Sequence, residues 1–425
     1  MDNSNYQNLI SDKNINLVYE LQENDILHQL VNLEQLTFEV TDACNMKCKY
    51  CGYGELYNTY DKRNNSFMNF SMAKKVIDYL YAIWQKYPGK SSPRKIVFGF
   101  YGGEPLMNFT LIQEVISYLE TLPPIPNTQF GYNMTTNAIL LDKYMAYLAE
   151  KEFRLLISLD GNEYNHSYRT DHNGNPSFSR VYKNVKLLMD TYPEYFRQHV
   201  DFNAVLHNRS NLRQVKDFIR NEFGKTPSMS ELDQFGVCKD KKETFDQMYH
   251  SIAGDVAITD KDFNEVYPDT SGLYRFTDKM SGNFFSSHNL LLRKGIRTYQ
   301  ATGTCRPFEK KVFVTVNGKI LPCEKIDQKF VLGKVTDTGI ELDLQKIADI
   351  YTRYYQKVKP LCEKCYMKHF CAQCMFYMED LDGKVKCPQF ANKQKMEDMI
   401  NHYSTVLYYH PELYKKVSQE MLFRI

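Results

Sequence analysis

Between residues 36 and 224 the chain alternates short runs of strand periodicity with longer runs of helical periodicity. The apolar run Leu36–Val40 is followed by a helical pattern that Ser71 can cap, with Val76, Ile77, Leu80 and Trp84 on one face and a stop at Pro88-Gly89. A strand over Lys95–Tyr101 precedes a helix capped by Asn108 and carrying Leu111, Val115 and Leu119. The pattern repeats with a strand at Phe130–Thr135 and a helix around Leu141, Met145 and Leu148, then a strand at Leu155–Asp160 and a helix with Val181, Val185 and Leu188. A strand at Val200–Leu206 and a helix from Asn211 to Gly224 close the series. Units of this length demand parallel strands joined by crossover helices, an α/β fold built as a barrel or partial barrel, with chemistry at the carboxyl ends of its strands.

The loop after the first of these strands reads Thr41-Asp42-Ala43-Cys44-Asn45-Met46-Lys47-Cys48-Lys49-Tyr50-Cys51-Gly52. With eleven cysteines in 425 residues, a C-x3-C-x2-C triplet arises by chance roughly 0.007 times. No fourth cysteine lies nearby. A structural zinc site wants four ligands, so zinc needs completion from elsewhere. A 4Fe–4S cluster on three thiolates leaves one iron open to bind a further molecule. Small buried hydrophobes that happen to cluster are the third reading.

Charge is nearly balanced, with 53 Lys and Arg against 51 Asp and Glu, so neither nucleic acid nor an anionic membrane is an expected partner. There is no run of 18 apolar residues, and the first 30 residues are polar, without a signal-peptide core. A cytoplasmic location is expected, where cysteines serve as ligands or catalysts more often than as disulfides. The 32 tyrosines and 26 phenylalanines suit a large aromatic core, or peptide binding.

The triplet Cys44, Cys48, Cys51, with an aromatic, Tyr50, before the third cysteine, resembles the signature of the radical S-adenosylmethionine (radical SAM) superfamily. The resemblance implies a partial (β/α)6 barrel and a 4Fe–4S cluster whose open iron chelates the amino and carboxylate groups of S-adenosylmethionine. One electron from that cluster then breaks the sulfonium C–S bond to give a 5′-deoxyadenosyl radical. Gly102-Gly103-Glu104-Pro105 resembles the family's GGEP motif. Its glycines would let backbone approach the ligand, and Glu104 would accept hydrogen bonds from a cationic amino group. Ser158-Leu159-Asp160-Gly161 resembles the S-x-D-G segment, with Ser158 on the ribose or carboxylate of the cofactor. Thr136-Asn137 resembles the T-N-G element with Ala138 in place of glycine, and Arg169 stands where relatives carry an arginine. A Gly-Gly or Asp-Gly turn and a solvated arginine are the plain alternatives.

The later cysteines resemble a SPASM domain, the module of auxiliary iron–sulfur clusters in peptide-modifying members. Cys305, Gly318 and Cys323 fit C-x9–15-G-x4-C, and Cys362, Cys365, Cys371, Cys374 and Cys387 fit the second half, with x2 rather than x3 between Cys371 and Cys374. The implied scheme gives Cys305, Cys323 and Cys374 to a first auxiliary 4Fe–4S cluster with an open iron for a substrate thiolate. It gives Cys362, Cys365, Cys371 and Cys387 to a second. A zinc site from Cys362, Cys365, Cys371 and Cys374 is the rival. Cys238 fits neither and reads as a core thiol, a fourth ligand or a substrate contact. At the place of Glu324, anaerobic sulfatase-maturating relatives carry an aspartate that acts as base; the glutamate departs from that pattern.

The expected organisation is an N-terminal extension over 1–33, a barrel over 34–225, a bridging region over 226–300, a SPASM-type domain over 301–390 and a helical segment over 391–425. The resemblance implies a peptide maturase acting on a ribosomally made precursor, and Cys51–Glu55 looks like the continuation found in such enzymes. The expected product is a cysteine thioether. Carbon–carbon crosslinking, epimerisation and sulfatase maturation are alternatives, as is a non-catalytic metal-binding adaptor. A flavodoxin or ferredoxin-like donor supplies electrons in this scheme. With only 33 residues ahead of the barrel, a separate protein or a strand-addition surface would recognise a leader peptide.

Overall fold

The computed structural model describes residues 15–87, 94–261, 263, 272–274, 276–277, 297–300, 302–368 and 371–423. The expected stop at Pro88-Gly89 and most of 262–296 lie outside them. The chain divides into two compact units, one of residues 26–255 with 307–344 and the other of residues 1–25, 256–306 and 345–425.

The first unit is built on one ten-stranded sheet. Numbering strands from β1 (Ile15–Val18), this sheet contains β2 (Gln35–Thr41), β3 (Arg94–Gly102), β4 (Thr128–Thr136), β5 (Arg154–Ser158), β6 (Val200–Leu206) and β7 (Ser228–Glu231). These six pair in sequence order, each parallel to the next. The alternation thus produces the expected α/β fold with parallel strands. β7 falls in the expected bridging region. Its sequence, Ser-Met-Ser-Glu, lacks the apolar spacing by which strands are recognised.

One face of the strands is apolar and sealed by helices. Phe98, Phe100, Leu155, Ile157, Phe202 and Ala204 are all buried there. The helices start and stop as their local chemistry dictates. Asn69, rather than Ser71, caps Phe70–Lys86 by accepting from Met72 N–H at 2.9 Å. Asn211 caps Leu212–Phe223, and Gly224 ends it at φ +65°. Asn108 does not cap its helix; its amide donates to Val40 and Met68 carbonyls at 2.7 and 3.0 Å. The alternate positions, among them Gln35, Thr37, Asn133, Thr135, Asn203 and Ser230, are polar and line a cleft of about 600 Å³. This inner face is therefore wet, unlike the packed interior of a closed eight-stranded barrel.

Beyond β2 the sheet continues through β9 (Val312–Val314), parallel to it, and the antiparallel β10 (Lys319–Leu321), β11 (Gly333–Val335) and β12 (Ile340–Glu341). Residues 307–344 thus belong to the barrel's unit, which differs from the boundary drawn at residue 301. A backbone ladder to β2 outweighs the compositional break. A turn at Asn317-Gly318 joins β9 to β10, with Gly318 at φ +78°.

In the second unit β1 pairs in parallel with β8 (Arg297–Gln300), so part of the expected N-terminal extension is tied into sheet. The helix Leu344–Cys362 leads to the cysteine-rich loops. Asn392 caps Lys393–Tyr409 through Lys395 N–H, and a second helix, Glu412–Phe423, follows Pro411.

Candidate active site

The cysteine loop leaves the carboxyl end of β2, and the ends of β3, β4 and β5 converge on it. Gly103 N–H donates to Thr41 carbonyl and Glu104 N–H to Ala43 carbonyl, each at 2.9 Å. A Cβ at Gly102 would sit 2.1 Å from Thr41 O, and one at Gly103 would sit 2.0 Å from Ala43 O. The two glycines are thus required by the approach of this turn to the cysteine loop itself, rather than by approach to a ligand.

Glu104 is buried beneath that turn. Its carboxylate accepts from Thr136 Oγ1 at 2.7 Å, Asn137 N–H at 2.8 Å and Leu106 N–H at 3.1 Å. Burial pushes its pKa up to about 7, only partly offset by these bonds. Thr136 is accordingly committed to Glu104 and to Ala138 N–H. Asn137 reaches out to the loop, donating to Asn45 Oδ1 at 2.8 Å and to Cys44 Sγ at 3.7 Å. Ala138, which replaces the glycine of the resemblance, keeps the left-handed backbone at φ +61°.

Asp160 and Arg169 form a fully buried bidentate pair, with Nε at 2.9 Å from Oδ2 and Nη2 at 3.0 Å from Oδ1. The solvated reading of Arg169 is thereby set aside. Although burial would raise it, the Arg169 guanidinium holds the Asp160 carboxyl below its usual range. Tyr50 hydroxyl and Val205 N–H also donate to Asp160. His166 closes the network. Its Nδ1 faces Asp160 N–H at 3.3 Å, and its Nε2 meets Ser177 Oγ at 3.1 Å, whose own proton goes to Arg169 carbonyl. Ser158, at the end of β5, is buried beside this network. Tyr50, Gly52, Tyr57, Tyr60, Glu231 and Asp233 line a neighbouring cavity of about 200 Å³.

Among the described residues no three His, Cys, Asp or Glu side chains converge on a point as one bound metal ion requires. A cubane takes each thiolate on its own iron, so its ligands stand apart. The donor set suits such a group. Met46 N–H donates to Cys44 Sγ at 3.4 Å, Arg63 Nη2 lies 3.5 Å from Cys51 Sγ, and Arg169 offsets the burial that pushes the Cys48 thiol up to about 12. Backbone, amide and guanidinium groups thus stand ready to share thiolate charge.

Glu324 lines the polar cleft with Lys311, whose Nζ is 2.9 Å from Oε1, and Cys323 Sγ lies 3.5 Å from Oε2. Against the raising effect of burial, Lys311 holds this carboxyl low. Tyr60 hydroxyl donates to Glu324 carbonyl at 3.2 Å. In the second unit Cys362, Cys365, Cys371 and Cys387 line one cavity of about 420 Å³, and Cys374 is not among its lining residues. Burial pushes the Cys374 thiol up, and the charge of Cys305 adds to that shift. Cys238 opens a short turn, its N–H donated to Leu56 carbonyl at 2.8 Å. Arg63, Lys311 and His166 carry no motif and were invisible at the level of pattern.

A parallel α/β frame thus gathers a three-thiol loop, a Gly-Gly-Glu turn and a buried Asp–Arg pair at one edge. Residues 38–220 match the family model of the radical SAM superfamily. An uncharacterized protein of Methanocaldococcus jannaschii is 33% identical over 189 residues, 44% of this chain and 58% of its own length. The chain thus spans little more than half of that relative. A cysteine-type anaerobic sulfatase-maturating enzyme of Clostridium perfringens strain 13 is 25% identical over 370 residues, 82% of this chain and 91% of that protein. The solved structure of native anSMEcpe with bound AdoMet and a Kp18Cys peptide superposes with a TM-score of 0.56 at 18% identity, over 91% of this chain and 99% of that one. No helix among the described residues is long and apolar enough to cross a membrane.

Proposed function

We propose that this chain is a peptide maturase that binds S-adenosylmethionine against the loop of Cys44, Cys48 and Cys51 and abstracts hydrogen from a peptide side chain. The observation that carries this reading is the polar cleft bearing Lys311 and Glu324 on the inner face of the sheet whose carboxyl edge carries the cysteine loop. Held by Cys44, Cys48 and Cys51, a reduced 4Fe–4S cluster with S-adenosylmethionine would supply the 5′-deoxyadenosyl radical. Glu104, a buried carboxylate held up near 7 by burial, would accept from the cationic amino group of the cofactor, and Asn137, Ser158 and the Tyr50–Asp160–Arg169 network would hold its other polar groups. Glu324, kept ionised by Lys311, takes the proton of the substrate thiol or hydroxyl.

The expected outcome is a thioether from a cysteine sulfur to carbon in a ribosomally made precursor: the carbon's hydrogen leaves as 5′-deoxyadenosine, Glu324 takes the thiol proton, an auxiliary cluster accepts the electron released as the C–S bond forms, and a flavodoxin or ferredoxin-like donor reduces the first cluster for each turnover. Cys362, Cys365, Cys371 and Cys387 hold one auxiliary cluster around their shared cavity, a partition that leaves Cys374 to act with Cys305 on the other. The zinc set that includes Cys374 finds no support in that cavity. A second reading, oxidation of a sulfatase side chain, is favoured by the similarity over 82% of the chain to a sulfatase-maturating enzyme. Anaerobic turnover of the reconstituted enzyme with candidate peptides decides between them. A crosslink loses two hydrogens and resists thiol alkylation, whereas side-chain oxidation creates a carbonyl captured by hydrazide. Absence of 5′-deoxyadenosine from reduced, cluster-loaded protein overturns the proposal.

A further inference from the structure

Arg63 lies on the loop between Cys51 and the first long helix and has no place in the motifs. Asp42, next to the cysteine run, grips that loop: its Oδ2 accepts from Asn64 N–H at 2.9 Å and its Oδ1 from Ser66 N–H at 2.6 Å. Thr41 Oγ1 adds a bond to Ser66 carbonyl at 2.6 Å. The clamp delivers Arg63 to the thiols. Its Nη2 stands 3.5 Å from Cys51 Sγ, and its guanidinium lies over the Tyr53 ring at 4.6 Å, itself stacked on Tyr60 at 4.4 Å. Its charge also reaches Cys44. Arg63 Nε is buried and has no hydrogen-bond partner. A buried guanidinium N–H without an acceptor is costly, unless something held by the neighbouring thiols accepts from it.

We propose that Arg63 is a positioning residue for the iron–sulfur cluster. Stacked on Tyr53, it donates to Cys51 sulfur through Nη2 and to a cluster sulfur through Nε, and so raises the reduction potential of the cluster. The physical basis is that a cluster gains negative charge on reduction, so a fixed cation and two N–H donors stabilise the reduced state more than the oxidised one. The inference rests on the reading that Cys44, Cys48 and Cys51 hold a 4Fe–4S cluster.

The test uses the full chain, reconstituted anaerobically, with the potential read by EPR-monitored redox titration. Arg63→Gln is expected to lower the reduction equilibrium constant at least tenfold, a shift of about 59 mV to more negative potential for one electron. Arg63→Lys, which keeps the charge but loses the fork and the stack, falls between. Lys47→Gln removes a charge from the cysteine run itself, but one that is exposed and paired with Glu55 at 3.3 Å, and leaves the potential unchanged. Equal potentials for Arg63→Gln and wild type overturn the proposal, as does an equal shift in Lys47→Gln. Should the variants load poorly, wild-type protein with 15N-guanidino arginine decides. A weakly coupled nitrogen in ENDOR of the reduced cluster supports the assignment, and its absence refutes it. Failure of the underlying cluster reading appears separately, as wild-type protein without iron or an EPR signal from this loop.

Discussion

Acidification should weaken this fold through His166. The ring is buried at 1% exposure, and its surroundings assign the tautomer. Nδ1 faces Asp160 N–H and must be bare, while Nε2 must carry the proton because Ser177 Oγ has already given its own to Arg169 carbonyl. A second proton would set N–H against N–H in a buried site. Burial is the leading cause that lowers its pKa from 6.5 to about 4, against the raising influence of Asp160. Between these values the unfolded chain binds the proton and the native chain does not, so stability falls as pH drops from 6.5 towards 4. At 1.36 kcal/mol per unit, the loss between pH 7 and pH 4.5 is about 2.4 kcal/mol. His166→Asn keeps an acceptor for Asp160 N–H but cannot titrate. Urea unfolding of both proteins at the two pH values, in one cluster state, should show the wild type losing about 2.4 kcal/mol more than the variant. Histidine-selective 15N spectra should show neutral His166 down to pH 5. A doubly protonated His166 at pH 5.5, or parallel stability losses in the two proteins, would refute the reasoning.

Gly103→Ala places a methyl 2.0 Å from Ala43 O and should cost on the order of 3 kcal/mol or more, with iron bound at the triplet lost in a stoichiometry assay. Asp160→Asn strands the Arg169 cation in a buried site and should destabilise by about 3–5 kcal/mol in denaturant titration. Ala138→Gly relieves the left-handed strain at φ +61° and should stabilise by up to about 1 kcal/mol, less what the lost methyl contributes. Cys362→Ala should remove about four irons per chain while Cys238→Ala removes none, both by colorimetric iron determination.

The fold was legible where strands alternate and helices carry one apolar stripe. Leu36–Val40, Val200–Leu206 and the helix between Asn211 and Gly224 fall where the pattern puts them, because their outer faces are buried and one-residue shifts would expose them. β7 escaped because it is an edge strand of four residues with little apolar surface to announce it. The extension of the sheet by β9–β12 escaped because pairing between β2 and β9 joins residues far apart in sequence, a long-range choice that no local window records. In the site, the cysteine loop, the Gly-Gly-Glu turn and the S-x-D-G segment were readable because each is a contiguous run of fixed spacing. Arg63, His166 and Lys311 were not, since each is defined by what it meets across the fold. Even the glycine pair was readable only in kind: its partner is the protein's own Thr41 and Ala43 carbonyls.

The pairing of β9 with β2 has a metric consequence. β2 runs directly into Cys44, while β9 turns back through β10 into Cys323, so backbone ladders tie both cysteines to one register. Moving that register by a single residue would displace one thiol relative to the other by about 3.3 Å and turn its strand over. The sheet therefore works as a gauge, setting the interval between these two sulfurs by hydrogen-bond counting instead of by side-chain packing. Sequence drift in the helices can leave that interval untouched, whereas one inserted residue in β9 or β10 cannot.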